Sequence, residues 1–146
     1  MLGQNVAGFL ASHDIFVRAA GHLEDFMRRP RAGEDSPVFQ FMHALVDCGK
    51  PVVAAVTGAA IGIGTTLLLH CDLIYAGQSA RFHMPFTALG LCPEGASSHL
   101  LAQYVGPRRA NEWLLLSQAF SAEQAMEDGL LTELTDHGNS LEAARA

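Results

Sequence analysis

The spacing of apolar and polar positions changes several times along the chain, and each change marks an element. Phe39, Met42, Leu45 and Val46 recur at helical spacing. They follow a Ser36-Pro37 pair that reads as an N-cap and first helical residue, and Gly49-Lys50-Pro51 ends the helix. Residues 52–56 (VVAAV) are an unbroken β-branched and small apolar run, which suits a strand covered on both faces. Gly58 turns the chain, and residues 63–70 read as a helix leaving the glycine segment. Residues 73–76 predict a second strand and 80–82 a short third. Pro93 opens a helix running to about Tyr104, and Pro107 opens another to about Leu116. Ser121 and Gln124 have capping-box spacing, Gly129 stands where that helix should stop, and residues 130–134 predict a last short strand. Residues 1–35 are less regular. Glycines and Pro30 punctuate them, and Gly21 weakens an expected helix over about 15–28. Strands alternating with helices predict an α/β fold with a largely parallel sheet, and no internal repeat is visible.

Composition narrows the function classes. A chain of 146 residues predicts one domain, 1–146, with its core over 36–135. Hydrophobic residues at 49% and charged residues at 16% exclude a disordered chain. A formal charge of -6 with no basic stripe argues against nucleic-acid partners, and the cluster Arg28, Arg29 and Arg31 reads as a solvated loop. Cys48, Cys71 and Cys92 are odd in number and form no CxxC pair. That fits a reducing, cytoplasmic setting, argues against zinc, and suggests buried filler. Residues 52–69 are apolar enough to suggest a membrane span, but Gly58, Gly62 and Gly64 interrupt them, so no membrane association is expected. Residues 1–20 contain Asp14 and lack a charged head before an apolar run, so no secretory signal is expected.

The chemistry concentrates between Lys50 and Ser98. GAAIGIG is not a phosphate-binding P-loop, because no Lys-Ser/Thr follows it, and its spacing differs from the dinucleotide fingerprint GxGxxG. What remains is a helix start with free N–H groups, where Gly62 and Gly64 allow close approach to the backbone. A tight strand-to-helix packing turn would need the same residues. Glu94 is the only acid between Phe82 and Ser98. In apolar surroundings its pKa should rise toward that of a general base working near neutral pH. The competing reading is a first-turn Glu that stabilises a helix dipole. Seven histidines show no metal-ligand spacing, so no metal is expected, and Ser97 and Ser98 lack the pattern of a hydrolase triad.

Four segments, KPVVAAVTGAAIGIGTTLLLHCDLIYAG, ARFHMPF, LGLCPEGASS and SAEQAMEDGLLTEL, make the chain similar to the crotonase (enoyl-CoA hydratase/isomerase) superfamily. The resemblance covers about two thirds of the chain. It implies a crotonase-like ββα spiral, here shortened at both ends, and a substrate thioester oxygen held by two backbone N–H groups. One is that of Ile63. The other comes from FLASHDI, where His13 supplies it and Ser12 replaces the usual glycine; an alternative alignment through AAGHLEDF would use Gly21. Ala11, Asp14, Ile15, Gly62, Phe86 and Leu89 fall at positions that contact substrate. The two acids of family hydratases would stand at Thr66 and Phe86, and both are absent. Glu94 instead matches the single catalytic glutamate of delta-3, delta-2-enoyl-CoA isomerases.

The resemblance therefore implies isomerisation of 3-enoyl-CoA to 2-enoyl-CoA, with Glu94 carrying a proton from C2 to C4. Coenzyme A enters as part of the substrate and no cofactor is expected. The partners implied are the acyl-CoA thioester and further copies of the chain in a trimer or hexamer. Two readings compete: another single-acid crotonase reaction such as hydratase-like activity, and a non-catalytic acyl-CoA-binding module.

Overall fold

In the computed structural model, residues 9–11, 37–136 and 138–146 are described. Two sheets organise them. Strands β1 (Phe9–Ala11), β2 (Val53–Val56), β4 (Leu73–Gly77) and β7 (Glu133–Thr135) form one all-parallel sheet in the order β1-β2-β4-β7. Phe9 stands opposite Val53, Val53 opposite Leu73, and Tyr75 opposite Glu133. The second sheet, β3-β5-β6, joins β3 (Ala59–Ile61) parallel to β5 (Arg81–His83) and β5 antiparallel to β6 (Phe120–Ser121).

The central strand follows from its composition. Ala54, Ala55 and Val56 are almost fully buried, as a strand covered on both faces requires. Its start is fixed by the Val52 amide, which donates to Asp72 Oδ2 at 2.7 Å. The hydrophobic core includes Leu68, Phe82, Met84 and Leu101, each under 2% exposed.

Helix α1 (Pro37–Val46) precedes β2. One turn of helix, α2 (Ile63–Thr66), continues directly as a 3-10 turn, Leu67–His70, so the expected helix over 63–70 is present in tightened form. The predicted helices after Pro93 and Pro107 form a single kinked element, α3 (Ser97–Leu116). The kink is at Gly106, with φ 77° and ψ 160°. Pro107 disfavours a helical residue before it, and glycine accepts the positive φ. Helix α4 (Ala122–Glu127) has the expected capping box: the Gln124 amide donates to Ser121 Oγ, and the Ser121 amide donates to Gln124 Oε1. Helix α5 (Ser140–Arg145) packs on β2 and β4.

Besides β1, which lies within the residues 1–35 where no strand is expected, two strands depart from the sequence expectation. Residues 59–61 lie inside the glycine segment, yet pair with β5 as β3. Phe120 and Ser121 form β6 against the same strand. Runs this short have no period of their own, and β5 is what makes them strands. The helix expected over 15–28 lies outside the described residues.

Candidate active site

Glu94 does not sit in the first turn of a helix. After the 3-10 turn Thr87–Leu89 the chain stays irregular until α3 begins at Ser97. Gly95 (φ 62°) and Ala96 (φ 54°) are both left-handed, and two such residues cannot continue a right-handed helix from Pro93. The Glu94 carbonyl accepts hydrogen bonds from the Ser97 amide at 3.1 Å and from Ser97 Oγ at 2.7 Å. This replaces the helix-dipole reading of Glu94: its side chain reaches across to α2.

There, Thr66 Oγ1 donates to Glu94 Oε1 at 2.5 Å. Thr66 has no exposed surface. One turn further on, His70 Nε2 lies 2.8 Å from the Gly95 carbonyl oxygen. A carbonyl only accepts, so Nε2 carries the proton of that bond.

The turn before α2 supplies the other component. Gly62 (φ 57°, ψ -119°) reverses the chain, and its carbonyl accepts the amides of Thr65 and Thr66. The Ile63 amide, at the first helical position, has no acceptor among the described residues. Ile63, Thr66 and Glu94 line one cavity of about 330 Å³. Its far wall is the apolar face of α1, with Phe39, Met42, Leu45 and Val46 at the predicted helical spacing. Ile63, whose amide has no acceptor among the described residues, and Glu94 thus line the same space, under a largely apolar wall.

Burial raises the Glu94 carboxyl above the ordinary glutamate range. The Thr66 hydrogen bond and the charge of His70 offset part of that rise. A carboxyl with this balance exchanges a proton closer to neutrality than a surface glutamate does.

The other expected site residues fall in different places. Gly62 is at the turn itself. Phe86 is 6% exposed and belongs to the hydrophobic core, so it does not line the cavity; its side chain turns inward at the cap of the 3-10 turn. Leu89 is 63% exposed and is also absent from the cavity wall. Ala11 ends β1, opposite Ala55 of β2. His13, Asp14 and Ile15 lie outside the described residues. Thr66 and His70 were missed as contributors. The available signal was their spacing from Ile63, at i+3 and i+7 on one helical face.

A larger, open depression of about 530 Å³ lies at the α3 kink. Its Arg109 is engaged by Glu112 at 2.7 Å and Asp128 at 2.8 Å, and it holds no counterpart of Glu94 and Ile63. Among the described residues no group of His, Cys, Asp and Glu could hold a metal ion, and no helix is long and apolar enough to cross a membrane.

Known proteins share this arrangement of sequence and fold. The chain is 41% identical over 120 residues to enoyl-CoA delta isomerase 2 of Rattus norvegicus, covering 82% of the chain and 29% of that protein. It is 34% identical over 118 residues to the peroxisomal enoyl-CoA delta isomerase 3 of Mus musculus, covering 81% of the chain and 36% of that protein. The chain spans about a third of the length of these curated relatives. Among solved structures, Pseudomonas aeruginosa OdaA matches 83% of the chain and 49% of its own length, at 52% identity and a TM-score of 0.78. A sequence model of the family described as enoyl-CoA hydratase/isomerase matches residues 10–145, and the chain belongs to that family, within the crotonase superfamily.

Proposed function

We propose that the protein isomerises 3-enoyl-CoA thioesters to 2-enoyl-CoA thioesters, with Glu94 as its one catalytic acid-base group. The observation that carries this reading is the cavity lined by both Glu94 and Ile63, whose amide has no acceptor among the described residues. The delta-isomerase names of curated relatives support it.

The substrate thioester oxygen accepts a hydrogen bond from the Ile63 amide, and from the amide of His13 by the sequence resemblance. This polarises the carbonyl and acidifies C2. The Glu94 carboxylate removes a C2 proton, and the electron pair delocalises into a dienolate whose oxygen the amides hold. Glu94, now neutral, returns the same proton at C4, and the double bond moves from C3–C4 to C2–C3. Proton and electrons balance without a co-reactant. Each amide of this kind is worth about 3–4 kcal/mol of transition-state stabilisation. The α1 wall gives the acyl chain an apolar surface.

Homo-oligomer assembly is part of the same reading. Leu89, Leu115 and Leu116, each more than 60% exposed, give such packing an apolar surface.

The test is direct. The purified protein, incubated with a 3-enoyl-CoA, should generate the conjugated 2-enoyl product, followed by absorbance. Glu94→Gln should lower kcat by about 10²- to 10⁴-fold while leaving thioester binding nearly unchanged. A folded protein that binds the thioester without converting it would replace this reading with that of a binding module.

A further inference from the structure

We infer that Thr66 is the positioning residue of the site: its hydroxyl holds Glu94 Oε1, so that Oε2 alone takes up and returns the proton.

A threonine in a helix commonly turns its hydroxyl back to a carbonyl of the preceding turn. Thr65 behaves in this way, donating to the Ala60 carbonyl at 2.6 Å and tying α2 to β3. Thr66, equally buried on the neighbouring position, gives its one proton to Glu94 instead. The carboxylate is therefore held by a donor that cannot move into solvent.

The consequence concerns the choice between two oxygens. A free carboxylate rotates and can present either one. With Oε1 bound, Oε2 points the base. When Oε2 accepts the C2 proton, Oε1 becomes the carbonyl oxygen of the neutral acid and still accepts from Thr66. The bond survives both protonation states, so the carboxyl need not rotate between removing the proton and returning it. His70 completes the restraint from the same segment by donating to the Gly95 carbonyl next to Glu94. Ile63, Thr66 and His70 line the cavity together, so the carboxyl anchor and the loop restraint come from the same segment that begins at Ile63. Among the described residues the titratable groups lining the cavity with Glu94 are His70 and, from α1, His43.

The kinetic part of this inference rests on the isomerase reading; the structural part does not. The experiment therefore measures both, on the intact protein. The Glu94 carboxyl is titrated by carbon-13 NMR in wild type, Thr66→Val, Thr66→Ser and Thr65→Val, and turnover of a 3-enoyl-CoA is followed across pH. Thr66→Val should move the Glu94 titration to higher pH, because a bond favouring the ionised form is gone. It should lower kcat on the order of tenfold with KM little changed, and shift the acid limb of the rate profile in the same direction. Thr66→Ser should restore both. Thr65→Val should lower the melting temperature without moving the Glu94 titration. Thr66→Ala gives the same reading if the valine variant does not fold. A Glu94 titration unmoved by loss of the Thr66 hydroxyl, or a serine variant that fails to restore it, overturns the inference. A wild type that does not turn over 3-enoyl-CoA removes the isomerase reading, and the carboxyl titration alone then decides the role of Thr66.

Discussion

A methyl group on Gly95 would stand 3.3 Å from Thr66 Oγ1 and 3.4 Å from Thr66 Cβ. Thr66 has nowhere to withdraw, because it is fully buried and bonded to Glu94. Gly95 also has φ +62°, where a side chain costs about 1–2 kcal/mol. Gly90 has a similar φ of +67°, but a methyl group there meets nothing within 4 Å. Gly90→Ala should therefore lose only the backbone term, whereas Gly95→Ala should lose more and also displace Glu94. Urea denaturation of the two variants, with turnover of a 3-enoyl-CoA as the readout of the proposed activity, checks this. Equal losses at the two glycines would show that crowding against Thr66 is unimportant.

The raised pKa of Glu94 makes stability depend on pH with a definite sign. The folded carboxyl holds its proton more tightly than the unfolded one, whose pKa is about 4.3. The stability associated with this neutral buried carboxyl is fully present below the unfolded value and is lost as pH rises through the folded one. Glu94→Gln keeps an oxygen that can accept from Thr66 but carries no charge at any pH. The variant should melt above wild type at pH 8, and the gap should close near pH 4. Thermal denaturation at the two pH values measures it. A gap of the same size at both would mean that ionisation of Glu94 does not oppose folding.

Much of the frame was legible because local patterns and burial agree. The run 52–56 became a largely buried strand, and Ser121 with Gln124 formed the capping box that their spacing announced. Glu94 stood out as the one acid in an apolar stretch, and it borders the cavity. What escaped depends on distant partners. Strand β3 exists through its pairing with β5, and the Thr66–Glu94 bond spans 28 positions, beyond any local period. The proline at 93 announced a helix start, but the left-handed pair Gly95-Ala96 delays the helix to Ser97 and frees Glu94 to reach Thr66. Composition alone could not separate the cysteines either: Cys71 is buried as expected, whereas Cys48 is only half-buried and Cys92 is exposed.

That difference has a chemical consequence. Burial, with the charge of Asp72 second, pushes the Cys71 thiol up to about 12. Almost none of it is thiolate at pH 8, and the thiolate is the reactive form. A thiol reagent at that pH should modify Cys92 rapidly, Cys48 more slowly, and Cys71 only after denaturation. Peptide mapping of the modified protein identifies the sites. Modification of Cys71 in the folded protein at a rate close to that of Cys92 would contradict its burial.

The lone tryptophan reports on the second sheet. Trp113, 3% exposed, lies parallel to Phe120 with ring centroids 3.6 Å apart and an interplanar angle of 4°. Phe120 in turn stacks on Phe82 at 5.4 Å. These rings join α3, β6 and β5, so Phe120 is the middle layer between a helix and a strand. Phe120→Ala should cost about 3–5 kcal/mol, the usual range for removing a core aromatic. It should also shift Trp113 fluorescence toward the red as water reaches the indole. None of the three rings lines the Glu94 cavity, so in protein that remains folded the carboxyl should titrate as in wild type. Urea denaturation followed by tryptophan emission measures the stability loss, and carbon-13 NMR measures the titration. A changed Glu94 titration in the folded variant would mean that the aromatic stack also sets the geometry of the site, and that the second sheet takes part in aligning α2 with Glu94.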